Sequence, residues 1–483
     1  MRLKSVFRRV TRKLAAMNAT FRFALLELPT ELIAQIIEHV DNRTTLKHLA
    51  CTCRKIQELT EPVLYRSALI RDAVQMTNML HSVVGNRPAR AKAIHHLDVP
   101  CHPRSSPSFD DLGVLLENAL NLRRLMVESP ECNTGEFEDE DSYEHMARNL
   151  FRPFESAVCV NDVERRPLQR LQELVLHLNG KESPYWTIGR RCLSIFLLPS
   201  LQKLTLSCVN IEDDVVESIR DRSFTSLKHL TLEESNITHQ GLIGILSLPK
   251  ALETLYLGEN CHNMTHFDQQ LNPAANYLFR NDPGLTLQAL SQQKDSLKAL
   301  TYVATSYYQH RSLIRPPHSP TDAGFAEFRS LESVTLCGQC PNFERAVMSS
   351  QSPSGLKTLV FQTDEIYWAP LGPTASVSAL DAIPFLRAPA CSVPPALSTV
   401  RIVGREQDFT AAMKGRISSA AKEMLKLGVT LEVQVESRST YFPPFLYGEP
   451  LPKATTVFDG TWRLTEHRPR TLWNDWGDSS SEE

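Results

Sequence analysis

The chain has no run of about 18 consecutive apolar residues, so no segment reads as a membrane-spanning helix. It has no Gly-x-x-x-x-Gly-Lys-Ser/Thr loop, no Gly-x-Ser-x-Gly turn and no His-Glu-x-x-His pair. The common phosphate-cradling, serine-nucleophile and zinc-peptidase signatures are therefore missing. Eleven cysteines in 483 residues are an odd number, thinly spread. That is the usage of reduced intracellular thiols, not of a disulfide framework. A net formal charge of −3 provides no field to gather nucleic acid or membrane. Cys337-x-x-Cys340 lacks a matching second pair of ligands, and Cys51-x-Cys53 and His95-His96 with His102 read as packing and surface turn. No catalytic residue, cofactor site or metal site is expected.

Acid is absent from residues 1–24, which hold Arg2, Lys4, Arg8, Arg9, Arg12, Lys13 and Arg22. Val6, Val10 and Leu14 recur at helical spacing, so the basic stretch reads as a solvated tail, a nuclear-import patch, an anionic-membrane contact or a transit peptide. It contains no apolar core of secretory type.

Residues 25–70 have a different texture. Leu28-Pro29 stands where a chain enters a helix, with Pro suited to the first helical position. Leu32, Ile33, Ile36, Ile37 and Val40 then form one broad apolar stripe. Thr44 or Thr45 can cap a second helix, with Leu46, Leu49, Ala50 and Cys53 on one face. A third helix begins near Lys55 and is closed by Pro62. Such a small core is marginal alone and wants a partner. Leu28-Pro29, Ile36-Ile37, Leu46, Leu49, Cys53-Arg54 and Leu64-Tyr65-Arg66 together resemble an F-box, in the form found in filamentous fungi. The family often has Trp near position 56, where this chain has Ile56. The resemblance implies binding to the Skp1 adaptor of a cullin–RING ubiquitin ligase through Leu28, Pro29, Ile36, Ile37, Leu46 and Leu49.

From residue 94 a repeat takes over: apolar-x-x-apolar-x-apolar. Ten copies begin at Ile94, Leu122, Leu171, Leu201, Leu227, Leu252, Leu297, Leu331, Leu356 and Leu397. Four of the steps measure 30, 26, 25 and 25 residues. This period and signature are those of leucine-rich repeats. Asn210 and Asn236 follow the sharpest copies and are placed to hydrogen-bond the turning backbone. Neighbouring coils must stack to close a core. The expected fold is α/β: a three-helix F-box, then a leucine-rich-repeat solenoid with parallel strands on its concave face and helices and loops outside.

The expected division is a basic tail over 1–24, the F-box over 25–70, the solenoid over 71–436 and a Pro/Trp-containing tail over 437–483. Residues 71–93 read as a connecting helix broken at Gly85-Asn86, and Val429–Val435 as the last strand. Irregular steps place insertions near 128–165, 258–295 and 363–396. The first contains an acidic run from Glu131 to Glu144, expected as an exposed loop, and the third is rich in proline. Asn276–Arg280 in the second reads as a short helix, and Trp462 reads as tucking back onto the repeats.

Strand alternation predicts which residues point away from the core. One column runs Arg124, Glu173, Lys203, His229, Thr254, Ala299, Ser333, Thr358 and Thr399. Its neighbour runs Met126, Val175, Thr205, Thr231, Tyr256, Thr301, Thr335, Val360 and Arg401. Arg124, Met126, Lys203, His229, Tyr256 and Arg401 stand out as partner-contact candidates, because aromatic, Met and Arg side chains anchor interfaces more often than Thr.

The two halves resemble an F-box protein with C-terminal leucine-rich repeats. That implies a non-catalytic substrate receptor of a Skp1–cullin–F-box ligase, working in cytoplasm or nucleus and partnered by the adaptor, by cullin through it, and by a protein substrate. The alternatives are an interaction scaffold whose helices cap the solenoid or bind Skp1 outside a ligase, and a peripheral membrane adaptor held by residues 1–24.

Overall fold

A computed structural model of the chain describes residues 25–85, 87–100, 109–129, 140–159, 166–178, 185–189, 192–215, 224–259, 278–304, 324–338, 340–348, 352–362, 393–405, 409, 411–437 and 444–460. The chain divides into two compact units, Met1–Ser67 and Ala68–Glu483. Expectations for the basic tail, the acidic run before residue 140, the proline-rich insertion up to residue 392, His102 and Trp462 lie outside the described residues.

The described part of the first unit is helical: α1 (Thr30–Glu38), α2 (Arg43–Ala50) and α3 (Arg54–Leu64). Pro29 is the residue before α1, not its first member, and its carbonyl accepts from Leu32 N and Ile33 N. The cap of α2 is Asn42, whose side chain accepts from Thr44 N and Thr45 N. The short amide side chain turns back onto the orphan donors more readily than the threonines that follow it. Pro62 does not close α3. It lies within the last turn, and the helix continues to Leu64.

Ile33, Ile37, Leu46 and Ile56 form the core of this unit, ringed by Leu25, Leu28, Val40, Leu49, Leu59, Val63 and Leu64. Cys51 and Cys53 are exposed, so neither is a packing residue.

The second unit is mixed α/β. Its strands are β1 (Ser67–Leu69), β2 (His96–Val99), β3 (Arg124–Glu128), β4 (Glu173–His177), β5 (Trp186–Thr187), β6 (Lys203–Ser207), β7 (Val209–Ile211), β8 (His229–Ile237), β9 (Thr254–Glu259), β10 (Ala299–Val303), β11 (Ser333–Cys337), β12 (Thr358–Gln362), β13 (Thr399–Gly404), β14 (Thr430–Ser437) and β15 (Lys453–Asp459). The main sheet follows chain order, β1-β2-β3-β4-β6-β8-β9-β10-β11-β12-β13-β14-β15. From β2 to β14 the pairs of the main sheet are parallel, and β14–β15 is antiparallel. β5 and β7 form a short side ladder with the end of β8.

The repeat dictates this geometry. The three apolar positions of each copy are buried throughout, as in Leu201, Leu204 and Leu206 or Leu252, Leu255 and Leu257. At each junction one carbonyl accepts two successive N–H groups of the next copy. Gln202 O takes Lys228 N and His229 N, Lys228 O takes Glu253 N and Thr254 N, and Glu253 O takes Lys298 N and Ala299 N. The ladder therefore advances in identical register from copy to copy, which satisfies the backbone of each strand edge.

Helices back the strands where the periodicity allows. Leu242, Ile245 and Leu246 are buried on His239–Leu246, whose start is capped by Thr238. Gly241 sits in that helix because a Cβ there would lie 2.5 Å from Ile211 O. The connecting segment after β1 is a helix over Ala73–Leu80, a π turn over His81–Gly85 and a helix over Pro88–Ala93.

Two expected loops contain regular structure. The acidic insertion holds a 20-residue helix, Glu140–Cys159, whose Leu150, Phe151, Phe154 and Ala157 are buried. The C-terminal tail supplies β15, so the sheet extends beyond the last strand expected at Val429–Val435.

The segment before β15 returns to the start of the sheet. Tyr447 N donates to Glu128 Oε1 at 2.6 Å. Lys453 pairs with Ser437 at the far end of the sheet. Six residues cover at most about 20 Å, whereas the nine strand steps from β3 to β14 would span about 43 Å if flat. The sheet is thus strongly curved, with its β3 and β14 regions drawn together.

Candidate functional site

The sheet register assembles the two columns read from strand alternation. Arg124, Glu173, Lys203, His229, Thr254, Ala299, Ser333, Thr358 and Thr399 are successive partners. Met126, Val175, Thr205, Thr231, Tyr256, Thr301, Thr335, Val360 and Arg401 form the adjacent row.

Their accessibility is uneven. Met126 is only 5% exposed, which corrects its assignment as a free contact. Glu128 projects from the same face of β3 two residues on, is 2% exposed, and is engaged by Tyr447 N. The returning C-terminal segment reaches this end of the face. Arg124 is drawn into ion pairs with Asp98 at 3.0 Å and Glu173 at 3.7 Å. Arg401 puts both Nε and Nη2 at 2.8 Å from Glu432 Oε2. Both guanidinium groups are engaged within the sheet and remain partly exposed. Lys203 is exposed, while His229 and Tyr256 are half-buried. His229 Nδ1 lies 2.8 Å from Thr254 Oγ1, and burial together with Lys203 lowers the imidazole pKa below its ordinary value.

Beside these columns, the strand-entry positions carry alternating charge. Lys228 and Lys298 both reach Glu253, at 3.2 and 2.8 Å, and Lys357 reaches Glu332 at 3.1 Å. Hydrogen bonds from Lys298 and Lys228 hold the Glu253 carboxyl below its ordinary pKa. These exposed pairs specify which strand sits beside which more than they stabilise the fold.

A third row has no counterpart in the sequence reading. Glu128, His177, Ser207 and Glu233 are successive partners across β3, β4, β6 and β8. His177 Nδ1 lies 2.7 Å from Ser207 Oγ. Burial lowers the His177 pKa to about 4. Burial, then the adjacent Glu234, pushes Glu233 up to about 7. A carboxylate, an imidazole and a hydroxyl in line are the parts of a nucleophilic site. Here the Ser207 side has no exposed surface, so no substrate atom reaches its hydroxyl. The row is a polar network in which Glu128, His177 and Ser207 are buried and Glu233 is half-buried. The signal for it lay in polar residues following the last apolar position of several copies.

In the helical unit the α1 stripe divides. Ile33 and Ile37 are buried, whereas Leu32 and Ile36, one helical turn apart, are 45% and 44% exposed. Leu26, just before α1, is 51% exposed, Pro29 is exposed, and Leu28 and Leu49 are half-buried. Ile37 and Leu46 are corrected from contact residues to core residues, since Ile33 and Ile56 already cover them. Leu26 and Leu32 join the outward apolar surface in their place.

Among the described residues no three or more His, Cys, Asp or Glu side chains converge as a metal site. Cys337 and Cys340 are buried and not joined in a disulfide. No described helix is long and apolar enough to cross a membrane.

A mixed α/β unit with a largely parallel sheet, strand order following chain order and an apolar, mostly leucine, residue at each inward position fits a fold of the leucine-rich-repeat kind. Residues 163–274, less than a quarter of the chain, match the family model described as FBD-associated F-box protein At5g56370, LRR repeats. The match supports an F-box/leucine-rich-repeat family, a class of protein-interaction modules. No curated protein matches the chain.

Proposed function

We propose that this chain is the substrate-recognition subunit of a Skp1–cullin–F-box ubiquitin ligase. Residues 25–70 act as the F-box, and the repeats act as a solenoid that holds a protein substrate. The observation that carries the reading is the apolar surface left outside a completed small core: Leu26, Leu32 and Ile36, with Leu28 and Pro29 at its edge. Leucine and isoleucine side chains exposed together on so short a helix are costly unless a partner covers them. The repeat match over 163–274 supports the pairing of this unit with leucine-rich repeats. The chain itself performs no bond chemistry. Holding a substrate beside a ubiquitin-loaded enzyme raises the local concentration of the reacting groups. The work is then done where that machinery operates, in cytoplasm or nucleus.

The surface is tested by Leu32→Glu with Ile36→Glu. Both positions face solvent, so the unit stays folded and its melting profile is unchanged. Affinity of the purified chain for Skp1 falls at least about 100-fold, the equivalent of losing two anchoring contacts. Undiminished binding with both charges in place contradicts the assigned surface.

A further inference from the structure

We propose that the strip of sheet face from β6 to β11 docks an extended acidic segment of a partner polypeptide, with a partner carboxylate seated on Lys203. The inference deepens, and rests on, the reading that this sheet receives a protein partner.

Three Lys or Arg residues lie on strands β2–β14: Arg124, Lys203 and Arg401. Arg124 is held by Asp98 and Glu173, and Arg401 by Glu432. Lys203 is exposed and makes no ion pair among the described residues, since its strand neighbour Glu173 is turned to Arg124. Its other neighbour is His229, whose imidazole is disfavoured as a cation by burial first and by Lys203 next, with Glu253 opposing and Lys228 and Lys298 acting in the same direction as Lys203. The Glu253 and Glu332 carboxylates in the next column are already taken by Lys228, Lys298 and Lys357.

From β6 to β11 the two face rows read Lys203, His229, Thr254, Ala299, Ser333 and Thr205, Thr231, Tyr256, Thr301, Thr335. They contain no Asp or Glu. On these two rows a guest carboxylate meets one unspent ammonium and a bed of hydroxyls able to donate or accept, and the acid of the third row, the half-buried Glu233, is pushed toward its neutral form by burial. Acids held by arginines bracket the strip at both ends, Asp98 and Glu173 on one side and Glu432 on the other. Next to the first end, Tyr447 N of the C-terminal segment is bonded to Glu128, outside β6–β11. Four strand spacings give about 19 Å, the length of about six extended residues.

The test is fluorescence anisotropy on the full chain with a labelled (Glu-Thr)5 decapeptide and its (Gln-Thr)5 control. The acidic peptide is expected to bind at least about tenfold more tightly than the control. Lys203→Glu abolishes that preference, Lys203→Arg keeps it, and Lys422→Glu on the helix Ala411–Lys426 leaves it unchanged. Equal binding of the two peptides, or a preference that survives Lys203→Glu, overturns the proposal. Acidic-peptide binding that emerges only when Asp475, Asp478, Glu482 and Glu483 are replaced by their amides also overturns it, by making the chain's own acidic residues the occupant. Skp1 affinity is measured on the same proteins. A wild-type chain that fails to bind Skp1 contradicts the ligase reading and leaves the Lys203 result standing. A Lys203→Glu chain that loses only the peptide preference supports the site.

Discussion

Trp186→Ala lowers the stability of the repeat unit by about 3–5 kcal/mol, the cost of emptying a fully buried aromatic site. Trp186 is 1% exposed and stacks on Phe151 of the helix Glu140–Cys159, with ring centroids 5.9 Å apart and planes 23° apart. Phe151 in turn lies 6.0 Å from Phe154. The indole Nε1 donates to Ser207 O at 2.9 Å. The side chain therefore ties three pieces together: the insertion helix, the short strand β5 and the main sheet at β6. Its removal deletes the stack, leaves a cavity and strands a buried carbonyl. Trp186→Phe keeps an aromatic ring against Phe151 and loses the hydrogen bond and part of the indole's volume, so it costs less, about 1–3 kcal/mol. Denaturant titration of the three proteins checks the order. An alanine variant as stable as the wild type would mean that the insertion helix does not share the core of the repeats.

His177 and Glu233 make opposite contributions to stability as a function of pH. Burial lowers the His177 pKa to about 4, below its ordinary 6.5. The unfolded chain then binds the extra proton first, so the contribution of His177 is fully present above pH 6.5 and is lost as pH falls toward 4. The full swing is about 3 kcal/mol. Glu233 is pushed up to about 7 from 4.5, so the folded chain holds its proton longer. Its contribution is greatest below pH 4.5 and declines as pH rises to 7. The two slopes oppose each other over the same window. His177→Gln exposes the Glu233 slope and becomes relatively more stable on acidification from pH 7 to 4.5. Glu233→Gln exposes the His177 slope and becomes relatively less stable. Melting curves of both variants against the wild type across that window read the difference directly. Parallel pH profiles for the two would remove the polar row from the account.

Much of the sheet was legible because its physics is local and repeated. Leu-x-x-Leu-x-Leu specifies inward positions and strand direction, and aligning its copies specifies register whatever the length of the connection between them. Lys203, His229 and Thr254 accordingly fall side by side as alternation predicts. The helix Glu140–Cys159 was hidden because the acidic run before and within its first turn dominates the composition, while its cluster of large apolar residues, Leu150, Phe151 and Phe154, lies in its second half. β15 was hidden because Lys453–Asp459 follows prolines and lacks a regular alternation.

Burial from a distance was not legible at all. Glu128 and Tyr447 are 319 residues apart, and no periodicity links them. Met126 and Glu128 on the face, and Arg124 with its two acids, belong to this kind of error: alternation gives the direction of a side chain and not what covers it. The division of α1 has a related cause. Five apolar residues in one stripe span more than one face, and only the placement of Leu46 and Ile56 decides that Ile33 and Ile37 turn inward while Leu32 and Ile36 do not.

Affinity purification of the intact chain from cells with the proteasome blocked tests the central claim most directly. The account predicts that Skp1 and cullin co-purify with the wild-type chain, that both vanish together with Leu32→Glu plus Ile36→Glu, and that a protein accumulating under the block remains on the repeats. A wild-type chain that recovers partners through its sheet but neither Skp1 nor cullin would contradict it.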